Sequence, residues 1–511
     1  MVSAGQALLA SKGVGPPHLG VSLRLCRTLS ISVGVCALAA AASVPAAARA
    51  VPAGPVVIIS PGVMHARGPL GAPPSTAYCE RHYKIACYQP AQLRRAYNLP
   101  PLLRRGIDGA GQTIVIVDSF GSPTAAHDLS VFDQTFGLPP PPSLKVIQPA
   151  GKVAPYQPTG TREGWAGETA LDVEYAHAMA PGAKILLVET PTSEEEGTSG
   201  FPQIVEAEEY VINHHLGGVI SQSFSATEET FPSTKSLLNL RGAYLDAQRK
   251  GVTVLAAAGD SGAADVRDNE VDYYPYPVTS WPDSDPLVTG VGGTQLHLDA
   301  AGRHLAPDSV WNDTYNAVAN EFINGNASEN PLAGGGGKST VFSRPRYQNG
   351  VARVVGSRRG VPDISMSAAC DGAVDTYQSF PGQQAGWYPT CGTSEATPLF
   401  AGVVALADQV AGHPLGLINP ALYALSASHA PGIVDVRTGN NTVSFERSGA
   451  SRTVRGFSAR PGYDLASGVG TVDADPFVFE LAKQAGPSAS HAVRPGPDPW
   501  PGPDGVWVIR T

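Results

Sequence analysis

Three stretches of this chain carry side chains able to do chemistry. The first is C-G-T-S-E-A-T-P-L-F-A-G at 391–402, where Ser394 is the candidate nucleophile. Gly392 leaves room for a substrate backbone and Thr393 can enter a tight turn. Ser394 then stands at the N-terminus of a helix running through Ala396, Val403 and Ala405. Free N–H groups and the helix dipole there favour developing negative charge, as a serine nucleophile needs. A serine in that place is also a good helix cap, with Pro398 near the first turn, so this stretch alone supports either role.

The second stretch is G-E-T-A-L-D-V-E-Y-A-H at 167–177. Glu168 and Asp172 are four residues apart, which on a helix puts both carboxyls on one face within reach of each other. If the neighbouring Trp165, Leu171 and Ala176 bury them, the pair cannot ionise freely, and a shared proton raises an apparent pKa. Exposed, the same spacing would be an ordinary solvated acidic face. The third stretch is V-L-A-A-A-G-D-S-G at 254–262, a buried strand that ends in Asp260 between glycines. A carboxyl kept protonated at a strand's end could donate a hydrogen bond to an oxyanion; the plain alternative is an Asx-turn.

Positioning these groups requires a sheet. The apolar, β-branched run 113–118 ends in Asp118 and a glycine turn, the form of a buried parallel strand, and 184–189, 219–223, 252–258 and 287–291 repeat it. Helical stretches at 165–179, 204–214 and 235–249 lie between them. The alternation implies an α/β fold, a mostly parallel central sheet with helices on both faces, whose function gathers at the carboxyl ends of the strands.

The 511 residues permit two or three domains or one large one, and composition favours one. Charged residues are only 15%, while 57 Gly and 46 Pro are scattered through apolar segments, as in a loop-rich globular enzyme. A net charge of −9 without a basic stripe excludes a nucleic-acid partner.

Arg24 and Arg27 precede an apolar run at 29–44, and A-A-A-R-A at 46–50 offers cleavage after Ala48 or Ala50, so 1–50 reads as a secretion signal. An uncleaved anchor is the alternative, although the run is short for a membrane span. Residues 51–86 read as a short leader or arm and 484–511 as a Pro/Gly-rich tail. Of six cysteines, Cys26 and Cys36 leave with the signal. Cys79 with Cys87 and Cys370 with Cys391 then read as two disulfides in an exported protein; without a close C-x-x-C, zinc is the lesser reading.

Taken together, G-T-S-E-A-T-P at 392–398, E-T-A-L-D at 168–172, A-G-D-S-G at 258–262 and V-G-G-T at 291–294 resemble the sedolisin (serine-carboxyl peptidase) family. G-G-G-G-K-S at 334–339, F-S-R-P-R-Y-Q at 342–348 and V-P-D-I-S at 361–365 extend the match, which runs from about Tyr88 to about Phe479. The resemblance implies a subtilisin-like fold with a peptidase domain at 87–483 and a calcium-binding C-terminal loop region. It makes Ser394 the nucleophile, Glu168 its general base, Asp172 the residue coupled to Glu168, and Asp260 the oxyanion-hole acid. It further implies one structural calcium held by carboxylates of Asp435 and Asp464 and backbone oxygens of Val436, Arg460 and Gly462, an oxygen set that suits this ion.

The expected protein is a secreted, extracellular, monomeric endopeptidase. It would cleave proteins and peptides at acidic pH, with no nucleic acid and no stable membrane association. Two departures stand out: the family usually carries a long folded prodomain where this chain has the short 51–86 stretch, and Ser225 in S-Q-S-F-S stands where the family commonly has Gly. The strand at 222–224 is expected to bind peptide backbone by β-augmentation. One rival is a subtilisin-type Ser-His-Asp protease with Asp118 as its acid; none of His127, His177, His214, His215, His297 and His304 has an H-G-T-H-like setting. The other is a non-catalytic, calcium-stabilised binding module on a protease fold.

Overall fold

The computed structural model describes residues 64–65, 69–324, 330–447 and 450–485. The expected signal with Cys26 and Cys36, residues 51–63 and 66–68, and the tail beyond 485 lie outside the described residues.

The β-branched runs form the expected sheet. Strands β1 (Thr113–Ser119), β2 (Leu144–Ile147), β3 (Lys184–Thr190), β4 (Val219–Gln222), β5 (Thr253–Ala257), β6 (Thr289–Gln295) and β7 (Ser309–Val310) lie in the order β7-β6-β5-β4-β1-β3-β2, with β8 (Ile364–Ser367) also pairing with β6. Every pairing is parallel except that of β7. The period of two along β1 sorts its side chains between layers: Ile114 and Ile116 join one apolar core, Val115 and Val117 the other. Both faces are therefore covered, which is why these strands are apolar throughout.

Each layer is helical. Helix α2 (Ala125–Phe136), helix α3 (Gly160–Met179) and helix α6 (Thr393–Ala411) contribute Leu129, Leu171 and Val403 to the first core. Helix α4 (Phe201–Asn213) and helix α5 (Gly242–Lys250) contribute Ile204 and Tyr244 to the second. Helix α7 (Ala474–Gln484) closes the chain against the first core through Phe477 and Leu481. The helix expected over 235–249 is broken: Thr234–Leu238 ends at Asn239, and α5 restarts at Gly242, where an added Cβ would lie 2.1 Å from Glu209 Oε1. Asn and Gly are poor helix formers, and packing against Glu209 decides where the break falls.

A second sheet delivers the nucleophile. Strand β9 (Ala373–Gln378) runs antiparallel to β10 (Gly386–Cys391), which leads directly into α6. Residues 69–86, read as part of a leader or arm, pack onto the body of the protein. Leu70 exchanges two backbone hydrogen bonds of 2.9 Å with Trp387, and helix α1 (Thr76–His82), capped by Ser75, buries Cys79. Cys79 is disulfide-bonded to Cys87, and Ile85 enters the core. One short helix gives too little periodicity to be read among prolines and glycines. Among the described residues no helix is long and apolar enough to cross a membrane.

Candidate active site

Ser394 lies in the first turn of α6, and Gly392, the residue before the helix, has φ 129°, in the region that favours glycine. Cys391 is disulfide-bonded to Cys370 with a Cα separation of 5.0 Å, and the Gly392 N–H donates to Ala368 O at 2.8 Å, so the approach to the serine is tied down from both sides. Ser394 is 1% exposed, and its hydroxyl makes no hydrogen bond within the protein. A helix cap would have spent that hydroxyl on a backbone N–H.

The hydroxyl faces Glu168. Helices α3 and α6 touch where Gly402 meets Met179: a Cβ on Gly402 would be 2.4 Å from Met179 Cβ, so only glycine permits this approach. Along α3 the one-turn spacing puts Glu168 and Asp172 together, both buried. Burial drives the Glu168 pKa well above the usual carboxylate range, Asp172 and then Asp118 push it further, and the Ser394 hydroxyl opposes the shift. Neither Glu168 oxygen makes a full hydrogen bond, so the Ser394–Glu168 pair is close enough to interact but open by strict geometry. Such pairs tighten when substrate binds.

Asp172 is raised in the same direction by burial and by Asp118, while the Ser223 hydroxyl, donating to Asp172 Oδ1 at 2.8 Å, lowers it. The same Ser223 hydroxyl lies 3.3 Å from the Ser394 carbonyl oxygen. Asp118 at the carboxyl end of β1 is fully buried, and burial lifts it to about 7. Three carboxyls thus share one dry pocket, and a proton is held among them. In the sequence Asp118 had a role only in the histidine rival; its approach to Asp172 follows from the register of β1 under α3, which no local pattern carries.

Asp260, at the end of β5, is locked onto the nucleophile's own turn. Its Oδ1 accepts from the Thr393 N–H at 2.7 Å and from the Thr393 hydroxyl at 2.8 Å. Burial raises its pKa to about 7 against these two bonds. Both bonds fall on Oδ1, which leaves Oδ2 for a proton and a substrate. Thr393, read from sequence only as a turn residue, is the part that sets Asp260 beside Ser394.

Among the described residues no histidine is hydrogen-bonded to Ser394. His177 Nε2 faces Pro139 O at 2.8 Å and Asp133 at 3.2 Å, His127 packs against Tyr377, His297 faces Ser309, and His304 faces Asp308. His214 turns back to Tyr210 O and His215 follows it in the exposed turn after α4.

The expected calcium residues lie in two touching loops. Gly462 N–H donates to both oxygens of Asp435 at 3.1 Å, and Arg460 N–H to Asp464 Oδ2 at 2.9 Å. Asp464 Oδ1 accepts from the N–H groups of Ala466 and Ser467 at 2.9 Å each. Arg437 Nε lies 2.7 Å from Asp435 Oδ2. Val436, between them, is buried. The donors available are two carboxylates and the carbonyls of Val436, Arg460 and Gly462, all oxygen, and this chemistry fits a hard cation. Among the described residues no group of three or more His, Cys, Asp or Glu is gathered as a metal site.

The chain is similar to known proteins. The sequence pattern of the Subtilase family matches residues 160–425. Kumamolisin from Bacillus sp. (strain MN-32) is 32% identical over 413 residues, covering 79% of this chain and 65% of kumamolisin. Sedolisin from Pseudomonas sp. (strain 101) is 28% identical over 365 residues, covering 71% of this chain and 57% of sedolisin. The chain therefore spans less than two-thirds of each of these relatives. The solved structure of Pseudomonas sedolisin (serine-carboxyl proteinase), complexed with two molecules of pseudo-iodotyrostatin, superposes with a TM-score of 0.63 at 24% identity, over 78% of this chain and 99% of that one, a likeness of fold.

Proposed function

The chain belongs to the subtilase family, in its sedolisin (serine-carboxyl peptidase) branch, and from that membership we propose that it is a serine-type endopeptidase that cleaves proteins and peptides at acidic pH. The observation that carries this reading is the unbonded, buried Ser394 hydroxyl facing the unbonded, buried carboxyl of Glu168.

Ser394 Oγ attacks the scissile carbonyl carbon while Glu168 takes the hydroxyl proton. For Glu168 to accept that proton, the cluster's one negative charge must be on Glu168 at the moment of attack, with Asp172 and Asp118 keeping the other protons. The carbonyl oxygen becomes an oxyanion, and protonated Asp260 donates to it through Oδ2, beside the N-terminal turn of α6. Glu168 then passes its proton to the leaving amine. An acyl-Ser394 ester remains, and water, deprotonated by Glu168, hydrolyses it. Asp260 serves as donor only while protonated, so this contribution is present below pH about 7 and is lost as pH rises through that value.

The extended chain after β4, Ser223 to Ser225, supports an edge for substrate backbone, with the Ser225 hydroxyl narrowing the space where the family commonly has no side chain. The loops at 435–436 and 460–464 would hold one calcium through the oxygens already named, and the ion's contribution is to fix those loops. Export and extracellular action rest on the N-terminal sequence pattern.

Wild-type protein and Ser394→Ala are to be compared on a peptide pool from acidic to neutral pH. The wild type is expected to cleave internal bonds with an acidic optimum, and the variant to lose activity while keeping its melting temperature. Equal hydrolysis by the variant would refute the reading, and loss of activity in His177→Ala with a neutral optimum would transfer the case to a histidine mechanism.

A further inference from the structure

The oxyanion acid sits just beyond β5, and the sheet's last bond to this stretch is from Ala258 N–H to Val291 O at 3.0 Å. β5 ends at Ala257, and the loop beyond it, 258–264, is kept in place by other parts of the chain. Ala333 N–H donates to Asp260 O at 2.9 Å, Gly262 N–H to Ala333 O at 2.8 Å, and Gly335 N–H to Gly259 O at 2.8 Å. The segment 333–336 is therefore a splint along the loop. Asn441 ties the splint to the loop's far end, through its main chain to the loop and through its side chain to the splint.

Asn441 is fully buried. Its carbonyl oxygen accepts from Ala263 N–H at 2.9 Å, which fixes the exit of the oxyanion loop. Its side-chain Nδ2 donates to Gly336 O at 3.2 Å, which fixes the end of the splint. Its Oδ1 accepts from Phe457 N–H at 2.7 Å, and its own N–H donates to Phe457 O at 3.1 Å, which anchors it from behind. The hairpin of β11 (Val443–Arg447) and β12 (Ala450–Val454) starts two residues later, and its Val443, Phe445 and Val454 pack with Ala263, Ala264 and Ala333 in one small apolar cluster. The side-chain amide joins the splint to the segment behind it, donating from Nδ2 to Gly336 and accepting at Oδ1 from Phe457, while the main-chain carbonyl of the same residue holds Ala263.

We propose that Asn441 is a positioning residue for the oxyanion-hole acid: by clamping Ala263 and Gly336 it holds the loop that sets Asp260 against Thr393 and Ser394. The proposal rests on the peptidase reading above. It acts through Asp260, so it affects the stabilisation of the tetrahedral intermediate rather than substrate capture. Small displacements of an oxyanion donor are costly because the hydrogen bond must meet the charge where it forms.

The experiment measures kcat, KM and the pH profile of peptide hydrolysis for wild type, Asn441→Ala and Asn441→Asp, with the folded fraction taken from circular dichroism. Asn441→Ala is expected to lower kcat by about tenfold or more with KM little changed. Asn441→Asp keeps the Oδ1 acceptor and, while protonated, can still donate to Gly336 O. It is therefore expected to match wild type at the acid end and to lose kcat as its carboxyl ionises, moving the alkaline limb to lower pH. Reduced melting temperature with wild-type kcat per folded molecule and an unmoved pH profile in both variants would overturn the proposal, since a merely structural residue gives that result. If Asn441→Ala does not fold, the pH profile of Asn441→Asp decides alone. Absence of Ser394-dependent hydrolysis in the wild type would overturn the peptidase reading, and this proposal with it; hydrolysis in the wild type with unaltered variants would overturn only the proposal.

Discussion

Two pairs of acids in this molecule are treated in opposite ways. Glu168 and Asp172 sit on one face of a buried helix, and three of their four carboxyl oxygens have no hydrogen-bond partner. Asp435 and Asp464 sit in loops, and every one of their oxygens accepts at least one N–H. The N–H groups around Asp464 oppose the upward pull of burial on its pKa, and the bonds of the pair hold two loops together. A carboxylate buried without partners cannot stay charged at low energy, so it holds a proton and can exchange it. The first arrangement costs stability and supplies chemistry; the second supplies stability.

The sharpest break of that comparison is at Glu168. Glu168→Gln keeps the shape and removes the proton acceptor, so kcat should fall by about a thousandfold or more, while the melting temperature at neutral pH stays level or rises because a buried titratable group is gone. A variant that loses its fold together with its activity would contradict the assignment. Next in size is the Cys370–Cys391 link, which closes a loop with a sequence separation of 21. Cys370→Ser with Cys391→Ser is expected to cost ~3 kcal/mol in denaturant unfolding and to lower kcat, since Cys391 lies three residues from Ser394. Non-reducing peptide mapping that shows free thiols at both positions would remove the basis of this expectation.

At the loop pair, Asp464→Asn places an amide where N–H groups point, and a loss of about 1–3 kcal/mol with kcat per folded molecule unchanged is expected. Chelation in the wild type should lower the melting temperature by the equivalent of about 2–3 kcal/mol when calcium had been well above its dissociation constant. A chelator-insensitive midpoint together with no bound calcium by elemental analysis would remove calcium from the account. The smallest effect is spread over the chain. Glu194, Asp375 and Glu395 are also buried without partners for either oxygen, and burial raises each well above its ordinary value. Because the folded pKa exceeds the unfolded one, their contribution is fully present below the ordinary carboxyl range, about pH 4, and is lost as pH rises through the folded values. The urea midpoint should therefore decline from acidic toward neutral pH; a midpoint that rises over that span would contradict the shifts.

Much of this was legible locally. Five strands of the sheet are apolar runs readable one segment at a time, though the expected 287–291 lies at Thr289–Gln295 and β2, β7 and β8 were not read because they are short or partly exposed; the four-residue spacing of Glu168 and Asp172 is itself a statement about a helix face. The fold of residues 69–86 was not, because α1 gains its stability from Cys79 and Ile85 entering the body rather than from its own pattern. Nor was the break at Asn239 to Gly242, which the neighbouring Glu209 places.

What the sequence determined by itself is the set of reactive groups and the elements that carry them: a serine at a helix start, two acids one turn apart, an acid at a strand end, and cysteines spaced for local bridges. Only the tertiary structure decided which of these are dry and which are satisfied. Asp118 reaches Asp172 because β1 runs under α3, Thr393 claims one oxygen of Asp260 because α6 starts beside the end of β5, and Gly402 lets two helices close until Ser394 faces Glu168. Burial and hydrogen-bond partners are properties of several segments at once, and they convert an aspartate from a charge that holds a loop into a proton that does chemistry.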